Sequence, residues 1–155
     1  MSVTFVLGGA RSGKSAVAER RAGTGPVTYV ATGRAEDMPD RVAAHQARRP
    51  AHWSTVETQD LARALSQPGP MLVDSLTAWV AAAPGFSVDA DALCRALAAH
   101  DGDVVVVSDE VGLGVHPSTE VGRQFRDALG LVNQAVAAIS DEVLLVVAGR
   151  AVQLA

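Results

Sequence analysis

Gly8-Gly9-Ala10-Arg11-Ser12-Gly13-Lys14-Ser15 decides how this chain is read. The octet fits G-x-x-x-x-G-K-[ST], a loop whose backbone N–H groups cradle phosphate while its lysine reaches the β- and γ-phosphates. Lys14 is the chain's one lysine; every other Lys/Arg position is arginine. A compact ammonium on a flexible stem suits that slot, and a planar guanidinium does not. Before the octet, Val3 to Leu7 (VTFVL) is a short, β-branched apolar run that reads as a buried strand. After it, AVAERRA holds good helix formers. Strand, glycine loop and helix is the order the mechanism needs, because the helix N-terminus adds partial positive charge. The Ser15 hydroxyl is placed to ligate Mg²⁺. A nucleoside triphosphate is the expected ligand, and transfer of part of it the expected chemistry.

Working outward, strand and helix alternate. Strands are predicted at 3–7, 27–31, 53–57, 71–74, 103–108 and 143–147. A last strand at 151–154 is expected to pair with the sixth through a Gly149-Arg150 turn. Helices are predicted at 14–22, 38–48, 59–66, 75–82, 90–99 and 118–140. The continuously apolar runs 104–107 and 143–147 fit central strands covered on both faces. Val121, Phe125, Leu129, Val132, Val136 and Ile139 recur at spacings of three and four, giving the last helix one packing face. This alternation implies an α/β fold, a doubly wound and mostly parallel sheet with an antiparallel hairpin at its end. The stretch Ala81 to Val88 is the most loop-like.

At 155 residues and 48% hydrophobic content, residues 1–155 read as one domain with enough apolar side chains for a layered core. A net charge of −4 argues against nucleic acid or an anionic membrane as partner. Cys94 is alone, so no intramolecular disulfide forms, and a small buried hydrophobe is its expected role. No run approaches a membrane span, and the N-terminal apolar run is too short for a secretion signal, so a cytoplasmic location is expected.

Three further groups are candidates for chemistry. Asp74 ends the strand MLVD and reads either as the acid that holds Mg²⁺ opposite the phosphate loop or as a cap for the helix starting near Ser75. Asp109 and Glu110 follow the strand at 103–108, either as a base or second metal contact or as a solvated acidic loop. Arg41, His45 and Arg49 fall at i, i+4 and i+8 of a predicted helix and share a face. Two guanidiniums favour a neutral, nucleophilic imidazole and can clamp phosphate oxygens. The bland reading is an exposed histidine among arginines. His52 and His100 read as packing or capping residues, and His116 as a loop histidine.

Taken together, Leu7 to Ser15, Tyr29-Val30-Ala31-Thr32, Arg41-x-x-x-His45-x-x-x-Arg49-Pro50-Ala51-His52-Trp53 and Glu110-Val111-Gly112-x-Gly114 resemble one family. Arg126-Asp127-x-x-Gly130-x-Val132-Asn133-Gln134 and Asp141-Glu142-Val143 continue the resemblance. The family is that of the bifunctional adenosylcobinamide kinase/adenosylcobinamide-phosphate guanylyltransferases of cobalamin biosynthesis. The resemblance implies a three-layer, RecA-like P-loop domain that works as a homotrimer on a corrinoid substrate. It implies phosphorylation of adenosylcobinamide by ATP or GTP, then GMP transfer from GTP through a guanylyl-histidine, giving adenosylcobinamide-GDP. His45 takes the nucleophile's position, with Lys14, Arg41 and Arg49 beside it. Gly8, Gly9, Ala10, Arg11, Ser12, Gly13, Lys14, Ser15, Glu57 and Asp74 make up the expected nucleotide-binding set, with Ser15 and Asp74 for Mg²⁺. The rival readings are a P-loop small-molecule kinase without guanylyl transfer and a nucleotide-binding RecA-like subunit without transfer chemistry. The chain departs from the family at Asp109 (usually Asn), at His116 (usually aliphatic) and in a shorter 83–100 region.

Overall fold

The computed structural model describes residues 1–33, 43 and 46–155. The strands are β1 (Val3–Gly8), β2 (Thr28–Ala31), β3 (Ser54–Glu57), β4 (Met71–Asp74), β5 (Val104–Asp109), β6 (Glu142–Val147) and β7 (Arg150–Leu154). The helices are α1 (Lys14–Ala22), α2 (Leu61–Leu65), α3 (Leu76–Ala82), α4 (Ala90–Ala99) and α5 (Glu120–Ile139), with a 3₁₀ turn at Pro84–Phe86. Of the helix predicted at 38–48, Ala43 and residues 46–48 are helical, and the rest lies outside the described residues.

The strands form one sheet in the order β3-β2-β4-β5-β1-β6-β7. All neighbours run parallel except β6 and β7. β1, β5 and β4 are central and covered on both faces, which is why their sequences are apolar without alternation. Alternation reappears once the faces are separated. Phe5, Val73, Val104 and Val106 point into a cluster with Leu61, Leu76, Leu93, Leu97, Leu129 and Val136 of α2 to α5. Val6, Leu72, Val105, Val107 and Leu144 point the other way, against Val17 and Ala18 of α1. The result is three layers, helix on sheet on helix.

The strand predicted at 53–57 forms as β3, an edge strand with all four residues exposed beside the buried Trp53. Two expectations need correction. The closing hairpin turns at Ala148 and Gly149, both at positive φ (50° and 75°), rather than at Gly149-Arg150. Two left-handed residues match the right-handed twist of the flanking strands, and Gly149 adopts that backbone without strain. The stretch Ala81 to Val88 is no open loop: α3 runs to Ala82, and Phe86 packs edge-on against Phe125 with ring centroids 5.4 Å apart.

Candidate functional site

Parallel pairing brings the C-terminal ends of β1, β4 and β5 to one edge of the sheet. Gly8 lies opposite Asp109, and Asp74 opposite Val107. The loop leaving β1 is tight. Arg11 and Gly13 both take positive φ (54° and 92°), and Ser12 N–H donates to Gly9 O at 3.2 Å. Gly8 has no room for a Cβ, which would press on the Ser12 side chain and come within 2.9 Å of Val146 O. The hairpin braces the loop from outside, where Gly149 N–H donates to Ser12 O at 2.7 Å.

α1 opens at Lys14, and Gly13 before it supplies no side-chain cap. First-turn N–H groups without a side-chain cap form an anion site. Ser12 Oγ is buried and makes no hydrogen bond, an orphan that a phosphate oxygen would satisfy. Lys14 is 7% exposed; its Nζ donates to Gly9 O at 3.1 Å and lies 2.5 Å from Asp109 Oδ1. The second residue of α1, Ser15, shares this edge. The octet therefore has the geometry that a phosphate cradle needs.

Asp74 sits two strand spacings from β1, roughly 10 Å at about 4.8 Å per strand. Tyr29 O–H donates to its Oδ2 at 2.6 Å, fixing the carboxylate. Tyr29 is buried, and this burial pushes its phenol pKa well up; the Asp74 charge and hydrogen bond add to the rise, and Arg49 opposes it. The Arg49 guanidinium lies over the Tyr29 ring, 3.7 Å from its centroid, and donates to Thr55 Oγ1 at 2.8 Å. The helix cap expected as the alternative role of Asp74 falls to Ser75, whose Oγ accepts from Ala78 N–H. Glu57 ends β3, four strand spacings from β1, roughly 19 Å away along the same edge. His45 and Arg41 lie outside the described residues.

Asp109 is a strand residue paired with Lys14, so the solvated-loop reading fails for it. Glu110 fits that reading better, its carboxylate accepting from Gly112 N–H at 2.6 Å. Thr32 enters the sequence reading only within the resemblance, with no role of its own. It is buried, donates to Ser75 O at 2.6 Å, accepts from Ser75 N–H at 2.8 Å, and its carbonyl accepts from the Gln59 side-chain amide. His52 bonds Thr24 O at 2.9 Å, and His116 meets Arg126 at 2.9 Å. Cys94 is half-buried in the helical core, where burial raises its thiol pKa, with Asp91 adding to the shift.

Mg²⁺ prefers hard oxygen donors and keeps water and phosphate ligands around few protein ones. A serine hydroxyl and one carboxylate at the cradle's edge suit that habit. Among the described residues no cluster of three or more His, Cys, Asp or Glu builds an all-protein cage.

The model of the family "Cobinamide kinase / cobinamide phosphate guanyltransferase" matches residues 4–154. The chain belongs to this family. Curated relatives span its length. The bifunctional adenosylcobalamin biosynthesis protein CobP of Pseudomonas aeruginosa is 40% identical, over 94% of this chain and 92% of its own. The corresponding CobU proteins of Salmonella typhimurium and Escherichia coli are 38% and 34% identical, each over 97% of this chain and 98% of its own. This cobinamide kinase/guanyltransferase family member is therefore an enzyme with the family's two activities.

Among solved structures, the P4 protein from bacteriophage phi6 in complex with ADP superposes with a TM-score of 0.55 at 16% identity, over 97% of this chain and 54% of that one. An ATPase from a bacterial type III secretion system gives 0.55 at 14% identity, over 93% of this chain and 50% of that one. The chain spans about half the length of these proteins, and the likeness establishes a shared P-loop fold. No helix among the described residues is long and apolar enough to cross a membrane.

Proposed function

We propose that both reactions of this cobinamide kinase/guanyltransferase run through the cradle at Lys14, with His45 as the nucleophile of guanylyl transfer. In the first, the aminopropanol hydroxyl of adenosylcobinamide attacks the γ-phosphorus of ATP or GTP and the nucleoside diphosphate leaves. In the second, a neutral His45 ring nitrogen attacks the α-phosphorus of GTP and pyrophosphate leaves. The phosphate of adenosylcobinamide phosphate then attacks the histidine-bound phosphorus, giving adenosylcobinamide-GDP and freeing the imidazole.

The observation that carries the reading is Lys14, a buried ammonium at the mouth of a helix start that lacks a side-chain cap. Its charge and the first-turn N–H groups offset charge along a polyphosphate. Ser15 and Asp74 would hold Mg²⁺, which supplies further charge neutralisation on the phosphate oxygens. Arg41 and Arg49 lie four residues to either side of His45 in the sequence. Glu57, further along the edge, suits the distal end of an extended nucleotide. We also propose that residues 1–155 act as one nucleotide-binding domain, in the cytoplasm and as a homotrimer. The exposed Val147, Val152 and Leu154 offer apolar surface for another copy, and sedimentation should return three times the chain mass.

Incubation with GTP and Mg²⁺ should leave a GMP-sized adduct on His45, acid-labile and alkali-stable, by mass spectrometry. A His45→Ala protein that still becomes labelled excludes His45 as nucleophile. Phosphoryl transfer without any adduct leaves a plain kinase. Lys14→Ala should cut both half-reactions by about 10²-fold or more, since one site serves both; an unchanged kinase rate refutes the cradle assignment.

A further inference from the structure

Asp109 is held more firmly than an acid at a strand end needs to be. Its N–H donates to Thr77 Oγ1 at 2.8 Å, from the first turn of α3. Its carbonyl accepts from Asn133 Nδ2 at 3.2 Å, from the buried middle of α5. Asn133 is itself fixed, because Ser108 Oγ donates to its Oδ1 at 2.7 Å. Glu110 N–H donates to Gly8 O at 3.0 Å and locks the next residue to the root of the loop. With its backbone clamped from two helices, Asp109 places Oδ1 2.5 Å from Lys14 Nζ, both side chains being largely buried (24% and 8% exposed). Among the described residues the other partner of Lys14 is Gly9 O, which is neutral.

A phosphate oxygen that bonds Lys14 must therefore approach a fixed carboxylate on the same ammonium. It either shares the charge with Asp109 or displaces it, leaving a mostly buried carboxylate without its counter-charge. Both outcomes cost binding energy in a site of reduced dielectric. A phosphate chain that carries a divalent cation brings less negative charge and feels less of this repulsion.

We propose that Asp109 is the resident counter-anion of the phosphate loop. Occupying Lys14 in the empty enzyme, it makes the loop discriminate against metal-free nucleotide in favour of the cation complex. This rests on the nucleotide-binding reading of the cradle. Asp109 is a specificity-determining residue, and the neutral Asn of the same shape should relax the discrimination.

Calorimetric titration with GTP, once in EDTA and once in excess Mg²⁺, reads the effect as a ratio of dissociation constants. Asp109→Asn should tighten metal-free GTP by about tenfold or more and change the magnesium complex by less than about threefold. Asp109→Ala should move the ratio in the same direction, which covers any folding defect peculiar to one variant. Asp101→Asn removes an equal charge at an exposed position beyond the opposite edge of the sheet and should leave the ratio alone. A wild-type ratio in both Asp109 variants, or an equal shift in Asp101→Asn, overturns the proposal while leaving the cradle intact. Wild-type protein that takes up no GTP even with Mg²⁺ overturns the nucleotide reading, and this proposal with it.

Discussion

At Tyr29 a phenol and a guanidinium tie two parts of the sheet edge together. Its hydroxyl orients Asp74, and its ring carries Arg49. Tyr29→Phe keeps the stacked ring and removes the hydrogen bond. If Asp74 holds the cation, the Mg²⁺ concentration for half-maximal turnover should rise about tenfold, the size expected when a ligand's supporting partner is lost. An unchanged Mg²⁺ titration would separate Asp74 from the metal. The same substitution tests the raised phenol pKa. Above pH about 10 the unfolded chain releases this proton while the folded one keeps it, so stability falls as pH climbs through that range. Urea midpoints between about pH 9 and 11 should decline less steeply in Tyr29→Phe than in wild type. Lys14 and Ser15 were legible as residues because their spacing is local. The Tyr29–Asp74 bond was not, because it joins residues 45 apart that meet only through β2–β4 pairing.

Among the elements, α4 shows how a cap can hold more than its own helix. His100 ends it, 2% exposed, with Nδ1 2.8 Å from Leu65 O and Nε2 2.8 Å from Gly69 O. The ring stitches the end of α2 to the turn before β4. His100→Ala leaves two carbonyls without that partner and opens a void, and should cost about 2–4 kcal/mol by urea unfolding. A loss within about 0.5 kcal/mol would show the stitch to be idle. Sequence reading placed this histidine at a helix end and saw nothing of the two carbonyls, which come from another element. Strand reading succeeded where burial is uniform, as in β5, and also found β3, whose Val56 sits on an exposed edge. By sequence the stretch Ala81 to Val88 is the most loop-like, but Phe86 and Phe125 give it a packed contact.

For the whole molecule, register converts distant sequence into one edge. Gly8, Asp74 and Asp109 converge because β1, β4 and β5 are parallel, so each strand ends on the same side. The alternation of elements made the layered architecture legible, while the strand order had to be seen. β7 stands outside the parallel set, every residue exposed, yet its turn supplies the Gly149 N–H that holds Ser12 O. Removing residues 148–155 should weaken GTP binding by about tenfold as that brace is lost, measured by calorimetry on protein that still melts cooperatively. Undiminished affinity in the shortened protein would make the brace ornamental.

That brace has a bearing on how the enzyme matures during translation. The cradle is built from β1 and α1, but its outer strut is more than a hundred residues downstream. A nascent chain stalled before Gly149 would lack the N–H that holds Ser12 O and should grip polyphosphate poorly. A nucleotide that binds there would then stabilise only chains that already carry Gly149, and would not guide the earlier folding of β1 and α1.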